Sequence, residues 1–98
     1  MRFSGKTVLV TGGGRGIGQT IAIAFGREGA TVAVNAAHLT TAEDTAAKIR
    51  DAGGRAIAIE ASVADEAQIN AMVDRTVSEL GGLDILVNNA GISQPIMP

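Results

Sequence analysis

Thr11-Gly12-Gly13-Gly14-Arg15-Gly16-Ile17-Gly18 reads TGGGRGIG. It is preceded by Lys6 to Thr11, KTVLVT, and followed by a segment in which Ile17, Ile21, Ala24 and Phe25 recur at helical spacing up to the stop at Gly29. KTVLVT is apolar and β-branched without alternation, as expected of a strand buried on both faces. The stretch is therefore a strand, a glycine-rich turn and a helix from Gly16 to Glu28. Its glycines allow positive φ and let the backbone come close to a guest.

Working outward, Thr31 to Asn35 is a second apolar strand. Thr40-Thr41-Ala42-Glu43 has the hydroxyl and carboxylate spacing of a capping box, opening an alanine-rich helix that stops at Gly53-Gly54. Arg55 to Glu60, RAIAIE, is a third strand. Asp65 caps a helix whose core stripe is Ile69, Met72, Val73, Val77 and Leu80, ended by Gly81-Gly82. Asp84 to Val87, DILV, is a fourth strand; Asn88-Asn89-Ala90-Gly91 follows at once, and Ile92 to Pro98 reads as a loop.

The order β-α-β-α-β-α-β with short connections implies an α/β fold, a parallel sheet covered by helices on both faces. Right-handed crossovers make it a Rossmann-like, doubly wound sheet of strand order 3-2-1-4. Residues 1–98 are expected to form a single, incomplete domain truncated after strand four. Ligands of such sheets sit at the carboxyl ends of the strands where the strand order reverses, here between strands one and four. TGGGRGIG and NNAG both fall there.

Composition narrows the function. Acids and bases nearly balance at a net charge of −2, with no basic stripe, so no nucleic-acid partner is expected. There is no cysteine and a single histidine, which leaves no basis for a disulfide scaffold or a protein-ligated metal. No apolar run approaches the roughly 20 residues of a membrane span, and MRFSGK carries no signal-peptide pattern. A cytoplasmic protein without a membrane partner is the expectation.

A helix amino terminus with open N–H groups and a partial positive charge behind a glycine turn suits a diphosphate. Three nucleotide-binding patterns compete. Gly13 to Thr20 fits GxxxxGK[ST] except that Gln19 stands where the phosphate-reaching lysine belongs. GxGxG is present at Gly12, Gly14 and Gly16, but Val10 ends the strand where a methyltransferase-like site has an acid. The strict dinucleotide GxGxxG is not met. TGxxxGxG is met, at Thr11 to Gly18. With Asn88-Asn89-Ala90-Gly91 after strand four and the same intervening elements, the chain resembles the short-chain dehydrogenase/reductase family from Lys6 to Ile92, the first half or less of a typical member.

That resemblance implies a nicotinamide dinucleotide. Gly12, Arg15, Ile17 and Gly18, with Gly14 and Gly16 of the same loop, would line its diphosphate and adenosine-ribose side; Asn89, Ala90 and Gly91 would lie under the adenosine and ribose. Asn88 and Asn89 stand equally for structural support of strand four and for cofactor contact. In the family an aspartate usually stands where this chain has Ser62, before Val63; the hydroxyl retains some capacity to bond adenine, and Val63 could pack on the ring. An acid ending strand two would bind the ribose 2′-OH of NAD and repel a 2′-phosphate. Val34-Asn35-Ala36-Ala37-His38 has none. Arg15 is a basic residue suited to a phosphate, so NADP(H) is expected over NAD(H), with Asn35 and His38 also counted among the cofactor-binding residues.

The resemblance further implies an oxidoreductase that reduces carbonyls or oxidises alcohols by hydride transfer. It also implies a catalytic serine, a Tyr-x-x-x-Lys pair and a helix asparagine, all beyond residue 98. This chain has no tyrosine, and no catalytic residue is assigned. The expectation is a fragment or truncated product, inactive alone, that binds cofactor. Two alternatives are a non-catalytic dinucleotide-binding module and an interaction module that binds none. The edge of strand four would be open to self-association; a small carbonyl or alcohol substrate would belong to the full-length protein.

Overall fold

A computed structural model describes residues 2–89. Seven elements alternate along them: β1 (Thr7–Thr11), α1 (Gly16–Arg27), β2 (Thr31–Ala36), α2 (Leu39–Asp51), β3 (Arg55–Glu60), α3 (Glu66–Leu80) and β4 (Ile85–Asn88). All strand pairs are parallel, in the order β3-β2-β1-β4. The expected topology holds, and the strand bounds agree with the sequence reading to within one residue. The tail from Ile92 to Pro98 lies outside the described residues.

β1 is buried throughout because both of its faces are covered. Val8 and Val10 point to one side, where with Val32 and Val34 they pack under Ala22 of α1 and Ala46 and Ile49 of α2. Leu9 points to the other, against Ala33, Ile59 and Met72 of α3. Small residues on the helices bring α1 and α2 close to the sheet. Asp84 then ties the start of β1 to the chain entering β4: its carboxylate accepts the Thr7 N–H at 2.8 Å, and its own N–H donates to the Thr7 carbonyl at 2.9 Å.

Two expectations are corrected. The Thr40–Glu43 box does not cap α2. The helix begins two residues earlier than that box implies, at Leu39, with His38 as a cap residue that makes no side-chain cap bond. Glu60, at the end of β3, accepts the Leu39 N–H at 3.2 Å and takes over the role of a capping hydroxyl. Glu43 pairs with Arg50 instead, and Thr41 turns toward the glycine loop. The stripe of α3 is also narrower than expected. Met72 and Thr76, four apart, face the sheet and are buried, with the Thr76 hydroxyl donating to the Met72 carbonyl at 2.8 Å. Val77, a further 100° round the helix, comes out on its flank at 44% exposure. The Asp65 cap forms as expected, accepting from the N–H groups of Ala67 and Gln68 at 2.9 and 3.3 Å.

Candidate functional site

The turn between β1 and α1 is gripped from three sides, and each grip is a side chain on a different element. From β2, Asn35 accepts the Gly12 N–H on Oδ1 at 3.3 Å, and its backbone carbonyl accepts the Gly13 N–H at 2.8 Å. After β4, Asn89 donates from Nδ2 to the Gly12 carbonyl at 3.1 Å. From α2, the buried Thr45 hydroxyl donates to the Gly14 carbonyl at 3.3 Å; Gln19 of α1 donates to the same carbonyl at 3.4 Å and to the Thr45 oxygen at 3.0 Å. Thr11 completes the join between β1 and β4: its hydroxyl reaches Asn88 Oδ1 at 3.2 Å and accepts the Asn89 N–H at 2.9 Å.

Two glycines serve opposite needs. Gly16 has φ +59° with open space where a Cβ would stand, so the backbone conformation is what requires it. Gly18 is already helical, and there the need is room. A Cβ on it would overlap the Gly12 carbonyl oxygen and stand 2.5 Å from Asn89 Nδ2. The close approach of α1 to β1 that results aims the start of α1 at the crevice between β1 and β4. Among the described residues this helix start has no side-chain cap and no acid in its first turn. Open N–H groups and a partial positive charge are therefore available to an anion.

Beside the turn lies a cavity of about 180 Å³, lined by Gly12, Gly14, Arg15, Ala36, Ala37, His38 and Thr41. It brings together Arg15 and His38, the two basic residues singled out in the sequence. Its β2 side ends in alanines, with no acid. Ile17, in the first turn of α1, is 64% exposed. Ser62 and Val63 are on the neighbouring loop after β3 and do not line this cavity; the Ser62 hydroxyl oxygen accepts the Ala64 N–H at 3.3 Å. Asn35 is placed beneath the turn and not against the cavity, 1% exposed, with its carboxamide engaged internally. Ala90 and Gly91 lie outside the described residues. No group of three or more metal-ligating side chains occurs among the described residues, and no described helix is long and apolar enough to cross a membrane.

Sequence reading missed the part that Thr41, Thr45 and Gln19 play at the turn. Thr41 and Thr45 are four apart, so once α2 starts at Leu39 they share one face, toward α1 and the turn. That signal was present but hidden by the capping-box assignment.

Residues 6–97 match the family model of the short chain dehydrogenases. The chain belongs to the short-chain dehydrogenase family. Among curated members, the short chain dehydrogenase/reductase AacuN of Aspergillus aculeatus is 47% identical over 91 residues, which are 92% of this chain and 34% of that protein. The 7alpha-hydroxysteroid dehydrogenase of Escherichia coli is 40% identical over 95 residues, 97% of this chain and 37% of that protein. The solved structure of a 7 alpha-hydroxysteroid dehydrogenase complexed with NADH and 7-oxo glycochenodeoxycholic acid superimposes with a TM-score of 0.91 at 40% identity, covering 99% of this chain and 39% of that one. This short-chain dehydrogenase sequence thus spans about a third of the length of the curated relatives it matches. Family members are oxidoreductases that bind nicotinamide dinucleotides, and TGGGRGIG lies on the part they share with this chain.

Proposed function

We propose that this chain is the dinucleotide-binding portion of an NADP(H)-dependent oxidoreductase acting on a carbonyl or alcohol. The observation that carries the reading is the cavity beside the turn, which sets Arg15 and His38 together with Ala36 and Ala37 and presents no acid. A carboxylate there would accept from a ribose 2′-OH and repel a 2′-phosphate. A guanidinium favours the phosphate through charge-assisted hydrogen bonds. The start of α1 takes the diphosphate, and Ile17 covers the ribose side. Gly12, Gly14, Gly16 and Gly18 keep the backbone close to the guest; Asn89 holds the turn from β4. The dinucleotide supplies hydride transfer when bound, and this chain's own residues bind and orient it.

A second reading is a module that binds the dinucleotide without turnover. Equilibrium titration of the chain with each cofactor, followed by nicotinamide fluorescence, tests both readings. Tighter binding of NADPH than of NADH is the expected result. Equal affinity would remove the 2′-phosphate assignment, and no binding of either would remove both readings. Loss of that fluorescence through turnover on adding carbonyl substrates to the NADPH complex would reject the module; its persistence fits both readings, because the family resemblance puts the catalytic serine and tyrosine beyond residue 98.

The second part of the proposal concerns β4, the end strand of the sheet, whose Leu86 is 54% exposed. Among the described residues β4 ends the sheet, and an edge open there beside apolar surface would pair with a second copy of the chain. Light scattering coupled to size exclusion is expected to give a mass that rises with concentration, and a constant monomer mass would refute the association.

A further inference from the structure

We propose that Asn35 is a positioning residue that locks the glycine turn to the end of β3, so that the two loops facing the cofactor respond as one unit. The inference rests on the reading that these loops face a dinucleotide.

β1 and β3 are not neighbours in the sheet. β2 separates them, and no backbone ladder joins them directly: each pairs with β2, and β1 pairs on its other side with β4. The Asn35 carboxamide bridges that gap directly. On one side its Oδ1 accepts the Gly12 N–H at 3.3 Å. On the other its Nδ2 donates to the carbonyls of Ile59 and Ala61 at 3.3 and 3.1 Å. Ala61 is the first residue after β3 and leads into Ser62 and Val63.

The residue type follows from this arrangement. A 1% exposed carboxamide in a strand of valine and alanine is costly unless its polar atoms are paired. Here they are paired outward from β2 in two directions. A valine would fill the space and hold neither neighbour. An aspartate would accept from Gly12 but could not donate to β3 while ionised. Only an amide offers an acceptor and two donors on one rigid plane.

The test uses proton–nitrogen amide spectra and amide hydrogen exchange of the full chain, with inorganic pyrophosphate as the probe. In the parent chain pyrophosphate is expected to shift the Gly12–Gly18 amides and, through Asn35, those of Ala61 to Val63. In Asn35→Ala the Gly12 amide is expected to exchange about tenfold faster, as befits the loss of one part-buried hydrogen bond. The Ala61 to Val63 amides should then no longer respond, while Gly14 to Gly18 still do.

Asn35→Asp separates the two arms. At neutral pH it should keep Gly12 protected yet lose the β3 response. The acid, buried against two carbonyls, has its folded pKa raised above the unfolded value of about 3.9. Its deficit is therefore absent below that value and grows as pH rises through the folded one. Lowering the pH restores an O–H donor, and the β3 response should return, which a space-filling role would not produce. Unchanged Gly12 exchange in Asn35→Ala, a β3 response that survives it, or an aspartate variant with no acid recovery would each overturn the proposal. If the alanine variant does not fold, the aspartate variant decides, and failure of both to fold at every pH also overturns it. If pyrophosphate shifts nothing in the parent chain, the dinucleotide reading fails instead, and Gly12 exchange in the variants still decides the role of Asn35.

Discussion

Gly18→Ala is expected to destabilise the chain by about 3 kcal/mol, the upper part of the usual range for forcing an extra carbon into a packed site. The sign is what makes this informative. At an open helical position the same change would stabilise by about 1 kcal/mol, because alanine is the better helix former. Here the added Cβ overlaps the Gly12 carbonyl oxygen and crowds Asn89 Nδ2. Neither can retreat cheaply, since the Gly12 carbonyl is held by Asn89 at 3.1 Å and the Gly12 N–H by Asn35. Relief requires α1 to move away from β1, which opens the turn and removes the dinucleotide site with it. Urea unfolding of the parent, Gly18→Ala and Gly82→Ala measures the effect. Gly82 has open space at the Cβ position and no positive φ, so its variant should stay within about 0.5 kcal/mol of the parent. A stabilised Gly18→Ala would show that α1 does not approach β1 as described.

Arg15→Ala is expected to act on binding and not on folding. Among the described residues Arg15 takes part in no ion pair, and its side chain does not cap α1. Its loss should change stability by less than about 0.5 kcal/mol. A charge-assisted hydrogen bond to a 2′-phosphate is worth about 1.5 to 3 kcal/mol, so the affinity for NADPH should fall by about 10- to 100-fold. NADH lacks that phosphate, and its affinity should change by less than about threefold, the scale of a single exposed electrostatic contact. Calorimetric titration of both cofactors into both proteins reads the contrast. An equal loss for the two would place Arg15 on the diphosphate and leave the preference to His38 or to the backbone.

The fold was largely legible because each of its signals is local. The apolar runs of β1 to β4, the Asp65 cap and the glycine stops are each written within a few residues, and short connections leave little choice of topology. What stayed hidden depends on residues distant in sequence. The start of α2 is decided by Glu60, a strand away from Leu39, so a local capping pattern pointed to the wrong residue. The burial of Val77 depends on which side of α3 faces the sheet, and periodicity alone gives the stripe but not its width. Asn35 stands among the expected cofactor-binding residues, but its internal partners Gly12, Ile59 and Ala61 meet it only once three strands are aligned. Thr45 and Gln19 carry no signal of their own until α1 and α2 pack together over the turn.

The central claim is that the turn from Gly12 to Gly18 receives the dinucleotide, and residue-resolved amide shifts during NADPH titration of the chain test it most directly. The expected result is saturable shifts at Gly12 to Gly18, Ala37, His38 and Asn89, with smaller ones at Ser62 and Val63 and little change at the opposite end of the sheet around Thr31 and Arg55. Saturable shifts confined to another surface, or none at the turn at cofactor concentrations that saturate family enzymes, would contradict it.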